Sequence, residues 1–228
     1  MTRTDLQQAA EVNARLADQY PDARCELDFR NPFELLVATV LSAQSTDRRV
    51  NSVMPELMRT YPDAAALAQA PREDVERIIG PVGFYRNKTT AIIGLSRRIT
   101  DDFDGTVPST LEELVSLPGV GRKTANVVLG DAFGVPGITP DTHLIRVTNR
   151  LGWTTSTRPD VVEQAVGELF NPRDWVQLCH RIIWHGRRCC HARGPACGAC
   201  VVADLCPSYG LGETDPDKAR ARLREPRS

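Results

Sequence analysis

Apolar side chains recur every three to four residues along most of the chain, which is the repeat of an amphipathic helix. Residues 4–20 show it first: Leu6, Val12 and Leu16 fall on one face, and Pro21 ends the segment. No stretch alternates apolar and polar residues with the period of two that a half-buried strand requires. The sequence therefore predicts an all-α protein whose helices are joined by short connections.

Capping residues mark several of the helix ends. Asn31-Pro32 pairs a favoured N-cap with a proline at the first helical position, and residues 33–43 after it are almost wholly apolar. This helix is therefore expected to be buried and central. Asp47 is expected to cap a following helix that runs to about Thr60. Further helices are predicted at residues 64–70, 72–79, 87–101, 122–133, 143–151, 159–170 and 172–185.

A glycine-rich turn joins two apolar helical patterns in the middle of the chain. Its sequence over residues 117–125 is Leu-Pro-Gly-Val-Gly-Arg-Lys-Thr-Ala, which predicts helix, tight hairpin, helix. Backbone N–H groups at the start of the second helix can bind an anion such as a phosphate. The candidate phosphate contacts are Gly119, Gly121, Arg122 and Thr124.

Lys123 falls in the first turn of that second helix. The positive end of the helix dipole and partial burial would both favour its neutral amine, a nucleophile that forms Schiff bases with carbonyl carbons. Asp141, in Pro-Asp-Thr-His at residues 140–143, is a candidate partner that takes a proton or stabilises positive charge on a reacting sugar. The alternatives are plain: a lysine after such a turn is often solvated, and an aspartate before a helix is often only its N-cap.

Five of the seven cysteines crowd between residues 189 and 206, which favours metal binding over disulfides. Cys190, Cys197, Cys200 and Cys206 give the spacing C-x6-C-x2-C-x5-C, whereas Cys189 fits no spacing. Thiolates suit either an iron–sulfur cluster or zinc, and the spacing alone leaves both open.

Net charge argues against a chain-wide electrostatic attraction to nucleic acid, since the formal value is −1. DNA binding would need a local patch, and residues 173–193 hold five arginines and one aspartate, with Arg187 and Arg193 as candidate contacts. No apolar run approaches the ~18 residues of a membrane span, and the N-terminus has no signal-peptide core. A cytoplasmic, soluble protein is expected.

Taken together, LPGVGRKTAN, PDTH and the cysteine spacing resemble the endonuclease III family of the helix-hairpin-helix DNA glycosylase superfamily. The resemblance implies a six-helix domain over residues 25–134 and a [4Fe-4S] domain formed by residues 1–24 and 135–211, with DNA in the cleft between them. Residues 212–228 are expected to be a flexible tail.

The activity that this resemblance implies is bifunctional. A glycosylase removes oxidised pyrimidines such as thymine glycol from double-stranded DNA, and a lyase cuts abasic sites by β-elimination through a Lys123 Schiff base, with Asp141 assisting. The four spaced cysteines would hold the [4Fe-4S] cluster, and the protein is expected to be a monomer.

Two further positions follow from the same resemblance. An enzyme that reads a base rotated out of the helix must fill the gap that it leaves. The family places a glutamine, here Gln44, in that gap, and a second wedge, usually leucine, at the position of Phe84. Without the resemblance, Gln44 is equally a surface residue at a helix end and Phe84 a core aromatic. Pro81 and Pro140 depart from the commoner residues of the family.

Two other functions are compatible with parts of this sequence. A monofunctional adenine mismatch glycosylase shares this core, but it typically carries serine at position 123 and a catalytic glutamate where this chain has Thr39. A non-catalytic DNA-binding or electron-transfer module would use the cluster alone, and the presence of both Lys123 and Asp141 argues against it.

Overall fold

The computed structural model describes residues 3–224 and confirms the all-α prediction, since no strand occurs in that range. Residues 1–2 of the predicted cluster domain and 225–228 of the predicted tail lie outside the described residues. Short 3-10 turns lie at Pro172–Asp174, Cys197–Ala199 and Ala203–Leu205. The helices are α1 Arg3–Gln19, α2 Pro32–Ser42, α3 Asp47–Thr60, α4 Ala64–Ala68, α5 Arg72–Ile79, α6 Tyr85–Asp102, α7 Leu111–Ser116, α8 Arg122–Phe133, α9 Thr142–Arg150, α10 Pro159–Leu169, α11 Trp175–Arg188 and α12 Pro216–Arg220.

One compact unit is the continuous segment Cys25–Val135, which contains α2 to α8. Helix α2 lies at its centre and packs against α3, α6 and α8. Asn31 caps it, because its side-chain oxygen accepts the Glu34 N–H at 2.9 Å. Leu35, Leu36 and neighbouring apolar side chains of α2 are fully buried. The apolar run of α2 therefore forms part of the core of this unit.

The second compact unit joins Met1–Arg24 to Pro136–Ser228. Helix α11 packs against α9 and α1, and the core between them includes Leu16, Leu144 and Ile182. This unit is discontinuous, so its core forms only when segments far apart in sequence meet.

One expectation differs from the structure. Asp47 is not the cap of α3: Thr46 is, with its hydroxyl accepting the Arg49 N–H at 3.4 Å. Within the predicted tail, Asp215 caps the short helix α12, and Ala219 is fully buried. Ala219 packs in a small cluster with Cys189 and Ala196, a contact that the charged composition of this segment did not indicate.

Candidate active site and cluster pocket

The glycine hairpin between α7 and α8 owes its shape to Gly119. This residue has φ +76°, and an added Cβ would lie 2.7 Å from the Cβ of Ala91. Such a distance is shorter than van der Waals contact, so only glycine fits there. The turn is closed by the Val120 N–H, which donates to the Leu117 carbonyl at 3.1 Å.

The N-terminus of α8 presents backbone donors. Gly121 is the N-cap and has no side chain to cap the helix, and the first helical hydrogen bond runs from the Ala125 N–H to the Gly121 carbonyl at 3.0 Å. The N–H groups of Lys123 and Thr124 precede that bond, so an outside acceptor such as a phosphate can reach them. Gly121 and Arg122 are exposed and Thr124 is half-buried.

Lys123 lies in the first turn of α8 with an exposed side chain. The expectation that Lys123 is partly buried is therefore wrong for the protein by itself. Exposure also has a positive consequence, because a bulky substrate can approach the amine.

The chain holds only three lysines, and their environments differ. Lys88 is 6% exposed and its amine donates to the Leu41 carbonyl at 2.8 Å and to Ser45 Oγ at 3.0 Å. Burial lowers the pKa of Lys88, but its amine is enclosed. Lys218 is exposed on the five-residue helix α12. Of the three, Lys123 alone combines exposure with a place beside the glycine hairpin.

Asp141 is the N-cap of α9, and its Oδ1 accepts the Leu144 N–H at 2.7 Å. Its side chain is half-buried, and it belongs to the discontinuous unit whereas Lys123 belongs to the continuous one. The alternative that Asp141 is a helix N-cap is therefore correct for one of its carboxylate oxygens. A carboxylate has two oxygens, and the second retains the capacity to accept a proton or face a cation.

Gln44 and Phe84 share an uncommon backbone conformation. Their φ angles are +55° and +58°, and among described non-glycine residues only Asp104 is also positive. Such residues cost of order 1–3 kcal/mol and cluster at functional sites. Both side chains are exposed, Phe84 by 64%, so the alternative that Phe84 is a core aromatic is wrong.

The four predicted cluster cysteines line one pocket. Apolar side chains share its wall, among them Val147, Leu151 and Val202. Soft thiolate donors in a largely apolar shell suit an iron–sulfur cluster, so the residues present fit this cofactor.

Two arginines, four residues apart on α9, hold the cysteine loop. Arg150 donates to Cys190 Sγ at 3.2 Å and to the His191 carbonyl at 2.7 Å, while Arg146 donates to the Cys190 carbonyl at 3.1 Å. Burial raises the pKa of Cys190, and the Arg150 guanidinium opposes that rise. Sequence reasoning missed this pair, although an Arg-x3-Arg spacing directly after Asp141 was visible.

A second group in the pocket was also missed. Ligand atoms of His185, Cys189 and Cys200 all lie within 4.8 Å of one another. Tyr20 Oη lies 3.3 Å from Nδ1 of His185, and Nε2 of the same ring lies 3.6 Å from Cys200 Sγ. Cys189 is buried and close to the cluster ligands. Its place directly before Cys190 was the one signal of this in the sequence, since it fits no ligand spacing.

The arginine-rich segment is not uniformly available to phosphates. Arg188 is 6% exposed and its guanidinium stacks 3.6 Å from the centroid of the Trp184 ring. Of the two candidate contacts, Arg187 is half-buried and Arg193 is exposed. The net charge of this segment therefore overstates its capacity to bind DNA.

None of the helices described between residues 3 and 224 combines the length and apolar character that crossing a membrane demands.

Known protein families match both the helical core and the cysteine loop of this chain. Residues 37–172 match the family model of HhH-GPD superfamily base excision DNA repair proteins, and residues 190–206 match that of the iron–sulfur binding domain of endonuclease III. The second match begins at Cys190 and ends at Cys206, the first and last predicted ligands. The chain thus carries an iron–sulfur cluster domain.

Whole-chain relatives agree with the family models. Endonuclease III of Synechocystis sp. is 51% identical over 203 residues, which covers 89% of this chain and 93% of the relative. Endonuclease III of Escherichia coli K12 is 41% identical over 196 residues, or 86% and 93% of the two chains.

A solved structure of a trapped endonuclease III–DNA covalent intermediate matches with a TM-score of 0.86 and 42% identity, covering 92% of this chain and 97% of that one. The chain therefore belongs to the endonuclease III family, the bifunctional DNA glycosylases and abasic-site lyases of the HhH-GPD base excision repair superfamily.

Proposed function

We propose that this enzyme removes oxidised pyrimidines, with thymine glycol as the representative lesion, and cuts the resulting abasic site through a Schiff base on Lys123. The observation that carries the proposal is the placement of Lys123. It is an exposed amine in the first turn of α8, directly after a hairpin whose conformation requires Gly119.

The first step is displacement at the sugar. The neutral amine of Lys123 forms a bond to C1′ as the glycosidic bond breaks, and the base leaves with the bonding electrons and takes up the proton that the attacking nitrogen loses. Asp141 stabilises the positive charge that develops on the sugar. The amine that attacks lies in the first turn of α8.

The second step is strand cleavage. Ring opening gives a protonated Schiff base between Lys123 and C1′, which acidifies the proton on C2′. Transfer of that proton to a water molecule breaks the C3′–O bond and expels the 3′ phosphate, so the strand is cut on the 3′ side by β-elimination. A covalent intermediate with DNA has been trapped for a solved relative, which supports this order of events.

Base extrusion falls to Gln44 and Phe84 in this proposal. Both are exposed, and both are in a backbone conformation that costs free energy, which is typical of residues held for a function. Phe84 offers a larger surface than the leucine usual in the family, so it can stack on the orphaned partner base.

Cys190, Cys197, Cys200 and Cys206 would hold the [4Fe-4S] cluster. When bound, the cluster supplies four iron–thiolate cross-links to a loop that has little core of its own. Arg150 and Arg146 orient the backbone of that loop at Cys190. Arg193 and the N-terminus of α8 are proposed as phosphate contacts, with Arg187 beside them.

Substitution of Lys123 tests the proposal. Lys123→Gln should keep binding to a duplex with one thymine glycol, while losing base release, strand cleavage and covalent trapping by borohydride. Lys218→Gln is the matched control, since it removes the other exposed lysine and should leave all three signals intact. A Lys123→Gln protein that still traps covalently would remove Lys123 from its role.

Adenine mismatch repair is the weaker candidate. The position of its catalytic glutamate is occupied by Thr39, which is buried and whose hydroxyl donates to the Leu35 carbonyl at 2.7 Å within α2. A side chain satisfied in this way offers no general acid. Preference for damaged sites, the monomeric state and a cytoplasmic, nucleoid-associated location stay predictions.

A further inference from the structure

The loops that carry Gln44 and Phe84 meet at one hydroxyl group. Ser45 Oγ accepts the Gly83 N–H at 3.2 Å and the Lys88 amine at 3.0 Å. Ser45 directly follows Gln44, and Gly83 directly precedes Phe84. The Ser45 hydroxyl, on the loop of Gln44, therefore accepts two hydrogen bonds from residues that flank Phe84, which joins the two proposed wedge loops.

Lys88 anchors this junction to helices on each side. Its amine also donates to the Leu41 carbonyl at 2.8 Å, one of the last carbonyls of α2, and its backbone N–H donates to the Phe84 carbonyl at 3.2 Å. The final carbonyls of a helix lack partners within the helix, and a cation near them is favourable. One residue thus fixes the end of the helix before Gln44 and the start of the helix after Phe84.

The two loops also lie next to each other. A Cβ added at Gly83 would be in ordinary van der Waals contact with Ser45 Oγ at 3.6 Å and with the Gln44 carbonyl at 3.7 Å. Gln44 and Phe84 each have a positive φ, which persists only where the surroundings hold the backbone in place. The hydrogen bonds on Ser45 are part of those surroundings.

We propose that Ser45 and Lys88 are positioning residues that couple the two wedge loops, so that Gln44 and Phe84 enter the duplex as one rigid element. This inference rests on the proposed roles of Gln44 and Phe84 in base extrusion. Lys88 has a second task at the end of α2, so its loss would also affect folding. Ser45 is the cleaner test, because its loss leaves the bond from Lys88 to Leu41 in place.

The experiment compares two substrates in single-turnover kinetics. Ser45→Ala should slow base release from a thymine glycol duplex by about 5- to 10-fold, the effect of one charge-assisted hydrogen bond on a barrier. Cleavage of a preformed abasic site should change less than about two-fold, because no base remains to be extruded. The fluorescence rise of a 2-aminopurine placed opposite the lesion, which reports unstacking, should slow in parallel with base release.

Two controls separate positioning from folding. Ser52→Ala removes an exposed hydroxyl that bonds only within α3, to the Arg49 carbonyl, and should leave both rates unchanged. Ser45→Thr keeps a hydroxyl at this position and should retain base release. Ser45→Val has the shape of threonine without the hydroxyl and should not. The Thr and Val pair also serves if Ser45→Ala fails to fold.

Three results would overturn the coupling: equal losses on both substrates, no loss in Ser45→Ala, or equal rates in the Thr and Val variants. A wild-type protein that acts on neither substrate would instead refute the proposed function, so the two failures are distinguishable.

Discussion

Asp141 combines a structural bond with a proposed chemical role, and two substitutions separate them. Asparagine caps a helix about as well as aspartate, so Asp141→Asn should keep the bond to the Leu144 N–H and the melting temperature. Its turnover number on thymine glycol should fall at least ten-fold (about 1.4 kcal/mol or more of barrier), with little change in duplex affinity. Steady-state kinetics and fluorescence anisotropy measure the two effects.

Asp141→Ala is the comparison for that result. It loses the cap as well as the charge, so its free energy of unfolding should fall by about 1 kcal/mol. Equal losses of turnover and affinity in Asp141→Asn would reduce this residue to a helix cap.

Replacement of Phe84 by glycine should lower activity without lowering stability. Glycine adopts positive φ without steric cost, and Phe84 is 64% exposed, so Phe84→Gly forfeits little buried area. Its free energy of unfolding should stay level or rise by up to about 1 kcal/mol in urea denaturation. Base release from thymine glycol should slow, because the wedge is gone. A clear loss of stability would show that Phe84 supports the fold.

At this scale, residue type and spacing are easier to predict from sequence than the surroundings of each side chain. Lys123 and the four spaced cysteines were proposed from motifs and family resemblance, and their roles stay predictions. Lys123 is exposed where partial burial was expected, and Arg188, one of the five arginines that make the segment basic, stacks on Trp184. Exposure depends on which elements pack around a side chain, and a local pattern does not contain that information.

The hairpin between α7 and α8 contains two glycines that the structure makes unequal. Gly119 has φ +76° and its Cβ would clash with Ala91, whereas Gly121 has φ −93° and open space around it. Gly119→Ala should lower the free energy of unfolding by about 2 kcal/mol or more, from backbone strain and overpacking. Urea denaturation measures this.

Gly121→Ala is the matched control for stability and a test of phosphate binding. Its free energy of unfolding should fall by less than about 1 kcal/mol, since alanine is a poorer N-cap than glycine. Because Gly121 lies at the proposed phosphate contact, a methyl group there should weaken duplex affinity without unfolding the protein. A Gly121→Ala protein as unstable as Gly119→Ala would contradict the local geometry.

Helix boundaries were largely predictable because their signals are local. Asn31 and Pro32 mark the start of α2, and Gly134, with φ +67°, lies just past the end of α8. The junction of Ser45 with Lys88 was not predictable, since its partners are 43 residues apart and neither belongs to a motif. Contacts of this kind appear only once the helices pack.

At the scale of the whole molecule, the discontinuous unit is held together by hydrogen bonds and an ion pair between helix α1 and segments more than 140 residues further along the chain. Gln8 donates to the Leu151 carbonyl at 3.2 Å and to the Leu205 carbonyl at 3.0 Å, and it accepts the indole N–H of Trp153 at 2.8 Å. Arg15 pairs with Asp204 at 2.6 Å. Helix α1 is thereby attached to the cysteine loop, so the integrity of that loop should affect this unit in particular.

The positions of the tryptophans make that dependence measurable. All three, Trp153, Trp175 and Trp184, lie in the discontinuous unit, so their fluorescence reports on it alone, while far-ultraviolet circular dichroism reports on every helix. Cys197→Ser should lower the iron content and shift the fluorescence transition to lower urea. The dichroism curve should then show a second, later step from the segment Cys25–Val135, whose core is its own.

Cys189→Ser is the control, since this buried thiol is adjacent to the ligands without being assigned as one. It should keep the wild-type iron content and a coincident pair of transitions. The two readouts also distinguish local from general destabilisation. Loss of structure confined to the cysteine loop shifts only the fluorescence transition to lower urea, whereas general destabilisation shifts the fluorescence and dichroism transitions together. Coincident transitions in Cys197→Ser, at any urea concentration, would mean that the cluster supports the chain as a single cooperative unit.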